Sequence, residues 1–371
     1  MKEKNPFVVY GYGGPDLFCD RKVETDKLVS AVENSRNVTL LAERRIGKTG
    51  LIKHFFDTLK RDSRWATVYV DIFSTSNLVE FTSCFASAVI GSMDSQLDKA
   101  IASATQFFKS FRPSVAVDPI TGSPTFSFGL EPRNVEATLK ECFDYIGSQG
   151  DCVVAIDEFQ QIASYPEKGT EALLRSYVQF LPNARFIFAG SRHHMMAEMF
   201  SSAKRPFFNS TQTITLDRID ESVYFEFARD KMAPAANLPR EVFGRIYSMF
   251  DGITWYVQTI MNRFYARRSA TMADVISVID ELLQEKSWEY AAILKSLPVG
   301  AARLIKAVAK DGVAKSVTGG RFIEAHSLKG ASSVHLSLKK LQEDELLYET
   351  DAGFVVYDRL FGMWLSRLPE I

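Results

Sequence analysis

A parallel α/β sheet covered by helices on both faces, followed by a helical bundle and a terminal unit of three helices and a β-hairpin, is the architecture that this 371-residue sequence predicts. Three observations lead to it. Apolar runs at residues 38–42, 66–72, 152–156 and 185–189 read as strands buried on both faces. Segments with helical spacing separate them, around 78–112, 134–148 and 167–181, which is the alternation that a parallel sheet needs for its crossovers. From about residue 222 the strand signals cease and aromatic residues recur at helical intervals.

The length exceeds one ordinary core and divides into an α/β part over 1–221, a helical part over 222–297 and a terminal part over 298–371. Hydrophobic and charged fractions of 46% and 24% are those of an ordinary globular protein. With 44 Lys and Arg against 45 Asp and Glu, no whole-molecule field would draw in nucleic acid or an anionic membrane, so any such binding must be local. Cys19, Cys84, Cys142 and Cys152 lie too far apart to pair as a metal or redox motif, which suits a reducing compartment. No stretch approaches the ~20 apolar residues of a membrane span, and the first residues lack a signal-peptide core, so a cytoplasmic location is expected.

The first strand, 38–42, runs into a basic loop from Glu43 to Lys48, after which Leu51, Ile52, Phe55, Phe56 and Leu59 mark one face of a helix about three turns long. A fifth run at 211–216 is placed to close a sheet edge. Residues 113–128 alternate on each side of a Pro- and Gly-rich turn and read as an inserted β-hairpin, packed on its own domain rather than on a partner. Phe225, Phe243, Ile246, Tyr256, Ile260 and Phe264 belong to the helical bundle. After Pro298, helices near 301–310, 322–326 and 332–344 precede two strands flanking Asp351, Ala352 and Gly353, the order of a winged helix-turn-helix.

The loop Ala42, Glu43, Arg44, Arg45, Ile46, Gly47, Lys48, Thr49 matches G-x-x-x-x-G-K-[ST] except at Ala42. Such a loop curls main-chain N–H groups around a β-phosphate at a helix N-terminus; Lys48 reaches the β and γ oxygens, the Thr49 hydroxyl reaches Mg²⁺, and Gly50 continues the helix. Ala at the first position is tolerable unless its φ must be positive. About 110 residues on, a second apolar strand ends in Asp157, placed to hold the Mg²⁺ shell, and Glu158, placed to orient the attacking water. One strand further, Ser191 or Arg192 is placed to sense the γ-phosphate; a plain turn capped by Ser191 is the competing reading.

With these residues the chain resembles the prokaryotic, archaeal-type P-loop ATPases of the STAND and AAA+ kinship, which carry a helical lid and a C-terminal winged helix. The likeness spans nearly the whole length. Phe18, Cys19, Asp20, Arg21, Lys22, Val23 and Glu24 are similar to the family's F-x-G-R-E-x-E entry segment, with Asp20 in place of Gly. The resemblance implies contacts to the nucleotide from Phe18 and Arg21, ATP and Mg²⁺ as ligands, and hydrolysis to ADP. Two departures matter. Relatives often carry an arginine after the sensor strand where this chain has Pro206, Phe207, Phe208, Asn209 and Ser210, with Arg205 or Lys204 as substitutes; and their Gly-x-Pro appears as Gly252, Ile253, Thr254. A missing arginine implies slow hydrolysis, and so a switch rather than a motor.

In the third helix of the terminal part Val334, Leu338 and Leu341 face inward, leaving His335, Lys339 and Lys340 outward. Residues 298–371 hold ten Lys and Arg against nine Asp and Glu, too even a balance for most DNA-binding modules, so a protein partner or self-association is favoured over DNA.

Overall fold

The computed structural model describes residues 4–60, 64–93, 113–117, 124–128, 134–191 and 193–369. The chain divides into two compact units, the described residues of Met1–Lys231 with Gly252–Thr259, and those of Met232–Asp251 with Ile260–Ile371.

The first unit is built on a five-stranded parallel sheet. Strands β1 (Val38–Ala42), β2 (Ala66–Asp71), β5 (Cys152–Asp157), β6 (Ala184–Gly190) and β7 (Gln212–Leu216) lie in the order β2-β5-β6-β1-β7. The apolar runs are unbroken because successive residues enter different cores. In β5, Val154 and Ile156 join one cluster while Val153 and Ala155 join the other; in β6, Phe186 and Phe188 part from Ile187 and Ala189 in the same way. Helices α1 (Lys22–Glu33) and α2 (Lys48–Lys60) cover one face through Leu28, Leu51, Ile52 and Phe55. Helices α3 (Leu78–Met93), α4 (Val135–Ser148), α5 (Thr170–Val178) and α6 (His193–Ser201) cover the other. The expected edge run is β7, parallel to β1 in register Ala42↔Leu216.

The hairpin is present as β3 (Pro113–Val117) and β4 (Pro124–Phe128), antiparallel with Pro113↔Phe128 in register. The helix expected over 78–112 is described only to Met93, and residues 94–112 lie outside the described residues. The segment read as one helix over 167–181 is shorter, α5 being preceded by a 3-10 turn, Phe159–Ser164.

Helix α7 (Glu221–Met232) ends the first unit's main stretch. The second unit holds α8 (Arg240–Met249), the later part of α9 (Thr254–Arg267) and α10 (Met272–Ser296), whose N-terminus is fixed by a capping box between Thr271 and Asp274. Helices α11 (Val299–Asp311), α12 (Gly320–Ala325) and α13 (Ala331–Glu343), then strands β8 (Leu347–Thr350) and β9 (Gly353–Val356), complete a winged helix, closed by α14 (Arg359–Ser366). Val334, Leu338 and Leu341 are buried, as their spacing predicts. Tyr290 of α10 packs on Phe361 and Trp364 of α14, ring centroids 5.0 and 5.9 Å away. Among the described residues no helix is long and apolar enough to cross a membrane.

Candidate nucleotide site

Strand β1 ends at Ala42, and the loop that follows turns through two left-handed residues, Arg45 (φ 68°) and Gly47 (φ 99°), into α2. Ala42 is a fully buried strand residue outside the left-handed region, so a methyl there carries no backbone cost. The strained conformation falls instead on Arg45. Asp20, the other departure from the glycine pattern, has φ 56° and so adopts the conformation that a glycine would supply, one that aspartate tolerates.

Protein donors hold the loop's carbonyls. Ile46 O accepts from Arg21 Nη2 at 3.3 Å and from Thr254 Oγ1 at 3.1 Å, and Arg45 O accepts from the Trp255 amide at 3.0 Å. In a planar trans peptide the N–H points opposite to the C=O. With those carbonyls fixed to the protein, the N–H groups of Ile46 and Gly47 point to the other side, where an anion would meet them.

The charged centre is compact. Lys48 Nζ lies 2.7 Å from Asp157 Oδ1 and 2.7 Å from Glu158 Oε1, with the lysine side chain only 7% exposed. Asp157 Oδ2 accepts from Thr49 Oγ1 at 2.8 Å and from Tyr69 OH at 2.9 Å. Glu158 Oε2 accepts from Ser191 Oγ at 2.9 Å and from Gln160 Nε2 at 2.5 Å. Burial alone would raise the Glu158 carboxyl, but the Lys48 ammonium and the hydrogen bonds from Lys48, Gln160 and Ser191 outweigh it and hold the group below its ordinary value. Asp71, facing Asp157 across the β2–β5 ladder, goes the other way: burial and the charges of Asp157 and Glu158 raise it. Burial, then the Asp157 charge, raises Tyr69, which keeps its proton for donation.

A cavity of about 460 Å³ opens beside this centre, within the range of small-molecule sites. It is lined by the loop and by Val8, Tyr12, Phe18, Ile219, Trp255 and Gln258. Phe18 stacks on His54 at 4.3 Å between ring centroids, and Gly50 leaves it room, since a Cβ there would stand 3.2 Å from the ring.

Of the residues expected around the nucleotide, Lys48, Thr49, Asp157, Glu158 and Ser191 are brought together, and Phe18, Glu43, Arg44, Ile46, Gly47 and Gly50 line the cavity. Ala42 does not line it. Arg21 and Arg45 line it but spend donors on the protein: Arg21 on the carbonyls of Asp217 and Ile46, Arg45 on Tyr256 OH at 2.6 Å, its guanidinium 4.8 Å from the Trp255 ring centroid. Glu43 is bound by both terminal nitrogens of Arg218. Arg44 Nε lies 3.4 Å from Ser191 Oγ. Arg192 lies outside the described residues. Arg205, offered as a substitute cation, is paired with Glu171 at 2.9 Å and does not line the cavity; Lys204 is exposed.

Sequence reasoning missed Tyr69, Gln160, Tyr12 and Trp255. Trp255 stands beside the Gly252 to Thr254 segment, where the altered family pattern was the available signal. Among the described residues no group of three or more His, Cys, Asp or Glu could hold a metal by itself. Thr49 and Asp157 are one hydroxyl and one carboxylate side by side, which fits a Mg²⁺ that takes its remaining ligands from phosphate and water.

A family described as an ATPase domain predominantly from Archaea matches residues 18–260, and one described as a probable winged helix domain matches residues 288–367. No curated protein matches the chain. Among solved structures, the Walker-type ATPase PABY2304 of Pyrococcus abyssi is similar with a TM-score of 0.66 at 17% identity, over 97% of this chain and 99% of that one. The Aeropyrum pernix ORC2 protein, solved as ADPNP-ADP complexes, gives 0.61 at 15% identity over 98% and 96%. The Aeropyrum pernix ORC1 protein in complex with DNA gives 0.55 at 13% identity over 96% and 94%. At these identities the likeness is one of fold.

Proposed function

We propose that this chain, which belongs to the family of ATPase domains predominantly from Archaea, binds Mg-ATP at the N-terminus of α2 and hydrolyses it slowly, as a nucleotide-controlled switch. The observation that carries the reading is the Lys48 ammonium held at 2.7 Å by both Asp157 and Glu158, with the Thr49 hydroxyl on the same aspartate.

An entering triphosphate competes for that ammonium. Lys48 transfers from the carboxylates to the β and γ oxygens, while the N–H groups of the loop take the β-phosphate. Asp157 and Thr49 are then the side chains that would hold Mg²⁺, which neutralises charge on the transferring phosphoryl group. Glu158, released by Lys48, orients a water on the γ-phosphorus and accepts its proton. The new P–O bond forms as the bond to the β-bridging oxygen breaks, leaving ADP and phosphate. Ser191 Oγ, on Glu158 Oε2, is assigned to the γ side; Arg205, committed to Glu171, does not line the cavity, so the arginine that relatives carry after the sensor strand is not supplied from there, and turnover is slow.

Steady phosphate release from wild type and Glu158→Gln tests the chemistry: the variant should lose about 10²-fold or more while still binding nucleotide, and equal rates would refute it. Amide exchange over residues 222–297, the proposed lid, should differ between ADP and a non-hydrolysable ATP analogue; identical patterns would sink the switch.

For the winged helix we favour a protein partner over DNA. The outward lysines of α13 are already paired, Lys340 with Asp344 at 2.7 Å and Lys339 with Glu343 at 3.9 Å, and Leu336 between its outward neighbours is 69% exposed.

A further inference from the structure

Gln160 stands two residues beyond Glu158, and residues so spaced do not face each other along a regular helix. Here they meet because Glu158 has φ 57°, a left-handed turn that folds the start of the 3-10 segment back on itself. Gln160 is 2% exposed. Its Nε2 donates to Glu158 Oε2, while its Oε1 has no hydrogen-bond partner among the described residues. Space for this amide is made by Gly190 at the end of β6: a Cβ there would stand 2.3 Å from Gln160 Oε1 and 2.6 Å from Met196 Sδ.

The two oxygens of Glu158 are therefore held differently. Oε1 belongs to Lys48, and Oε2 belongs to Gln160 and Ser191. On the reading above, Lys48 leaves Oε1 when a triphosphate enters, and Ser191 faces the γ side. Gln160 is then the donor that stays. A buried amide with a stranded carbonyl is costly packing, and an apolar side chain would fill the same space without it; its one asset is the N–H group aimed at Oε2.

We propose that Gln160 is a positioning residue that anchors Glu158 by Oε2, so that Oε1 is the oxygen presented to the attacking water, and that Gly190 is required to admit it. The inference rests on the proposed role of Glu158.

The test compares kcat for phosphate release with ATP affinity in Gln160→Met, which keeps the length and removes the donor. The rate should fall about 10- to 100-fold, the range for residues that orient a first ligand, with the ATP dissociation constant and melting temperature close to wild type. Gln160→Glu, which sets a second carboxylate against the first, should fall further, and Gln160→His, which restores an N–H, should recover part of the loss. Gly190→Ala keeps Gln160 but drives its amide away, and should show the same split should the Met variant fold poorly. Wild-type kcat in Gln160→Met, or a parallel loss of affinity and rate, would overturn the proposal provided Glu158→Gln is inactive. An active Glu158→Gln would instead overturn the reading on which it rests.

Discussion

Replacing Lys48 by Met should destabilise the nucleotide-free protein as well as abolish nucleotide binding, because this ammonium neutralises two carboxylates at once. Removing one partner of a fully enclosed ion pair costs about 3–5 kcal/mol. The cost here is lower. Glu158 keeps 17% of its side chain in solvent and two other donors, and Asp157 keeps Thr49 and Tyr69. We expect about 2–3 kcal/mol, or a melting point lower by about 4–12 °C for a cooperative unit of this size. Acid should shrink the difference. The wild-type Glu158 carboxyl is held below its unfolded value, so its contribution is present above about pH 4.3 and is lost as pH falls through the lower folded value. In the variant Glu158, without the ammonium that holds its carboxyl down, takes up a proton at higher pH and recovers part of the lost stability. Thermal melts at pH 7.5 and pH 5, each with and without Mg-ATP, read both effects. Wild type at 100-fold over its Kd should gain about 2.7 kcal/mol from nucleotide, and Lys48→Met none. A variant that melts with the wild type at pH 7.5, or whose deficit grows on acidification, would refute the idea that the clamp stabilises the empty site.

Tyr69→Phe removes one donor from Asp157 Oδ2 and leaves Thr49 in place, so half-saturating Mg²⁺ in a nucleotide-binding assay should rise about 10-fold while metal-free binding holds; an unchanged Mg²⁺ requirement would exclude a role for the phenol. Trp255 lines the cavity with Arg45 against its ring, so nucleotide should change tryptophan emission, and Trp255→Phe should abolish that change although Trp65, Trp288 and Trp364 remain. Lys339→Ala with Lys340→Ala should leave retention on duplex DNA at moderate salt within about twofold; each phosphate-binding lysine lost would instead lower the salt slope by about one.

The strands and the charged centre were legible for the same reason: their signals are local. Both alternations of β5 and β6 are apolar because each feeds a separate core, and a glycine, lysine and threonine at a helix start leave a recognisable spacing. Much of what escaped depends on partners distant in sequence. Arg21 and Arg45, basic residues beside a phosphate loop, read as nucleotide ligands, yet Arg21 binds a carbonyl 196 residues away and Arg45 a tyrosine 211 residues away. Tyr69 resembles any other strand residue until β2 pairs with β5 and carries its hydroxyl to Asp157. Asp20 and Ala42 looked like equivalent departures from glycine. Only the backbone separates them, Asp20 being left-handed and Ala42 an ordinary strand residue.

On the proposed function, one side chain connects binding to chemistry. Lys48, 2.7 Å from Glu158 Oε1, would withhold the oxygen meant for the attacking water until a triphosphate attracts the ammonium away. A γ-phosphate would strengthen the claim on that ammonium by adding its oxygens to those of the β-phosphate, and with ADP that added claim would be missing. On that reading the centre would distinguish ATP from ADP by where one charge resides. The Arg45 and Ile46 carbonyls, which take their donors from Trp255 and Thr254, tie that loop to the first turn of α9. That helix starts in the sheet unit and from Ile260 onward belongs to the second unit, so a rearrangement of the loop has a continuous covalent path out of the site.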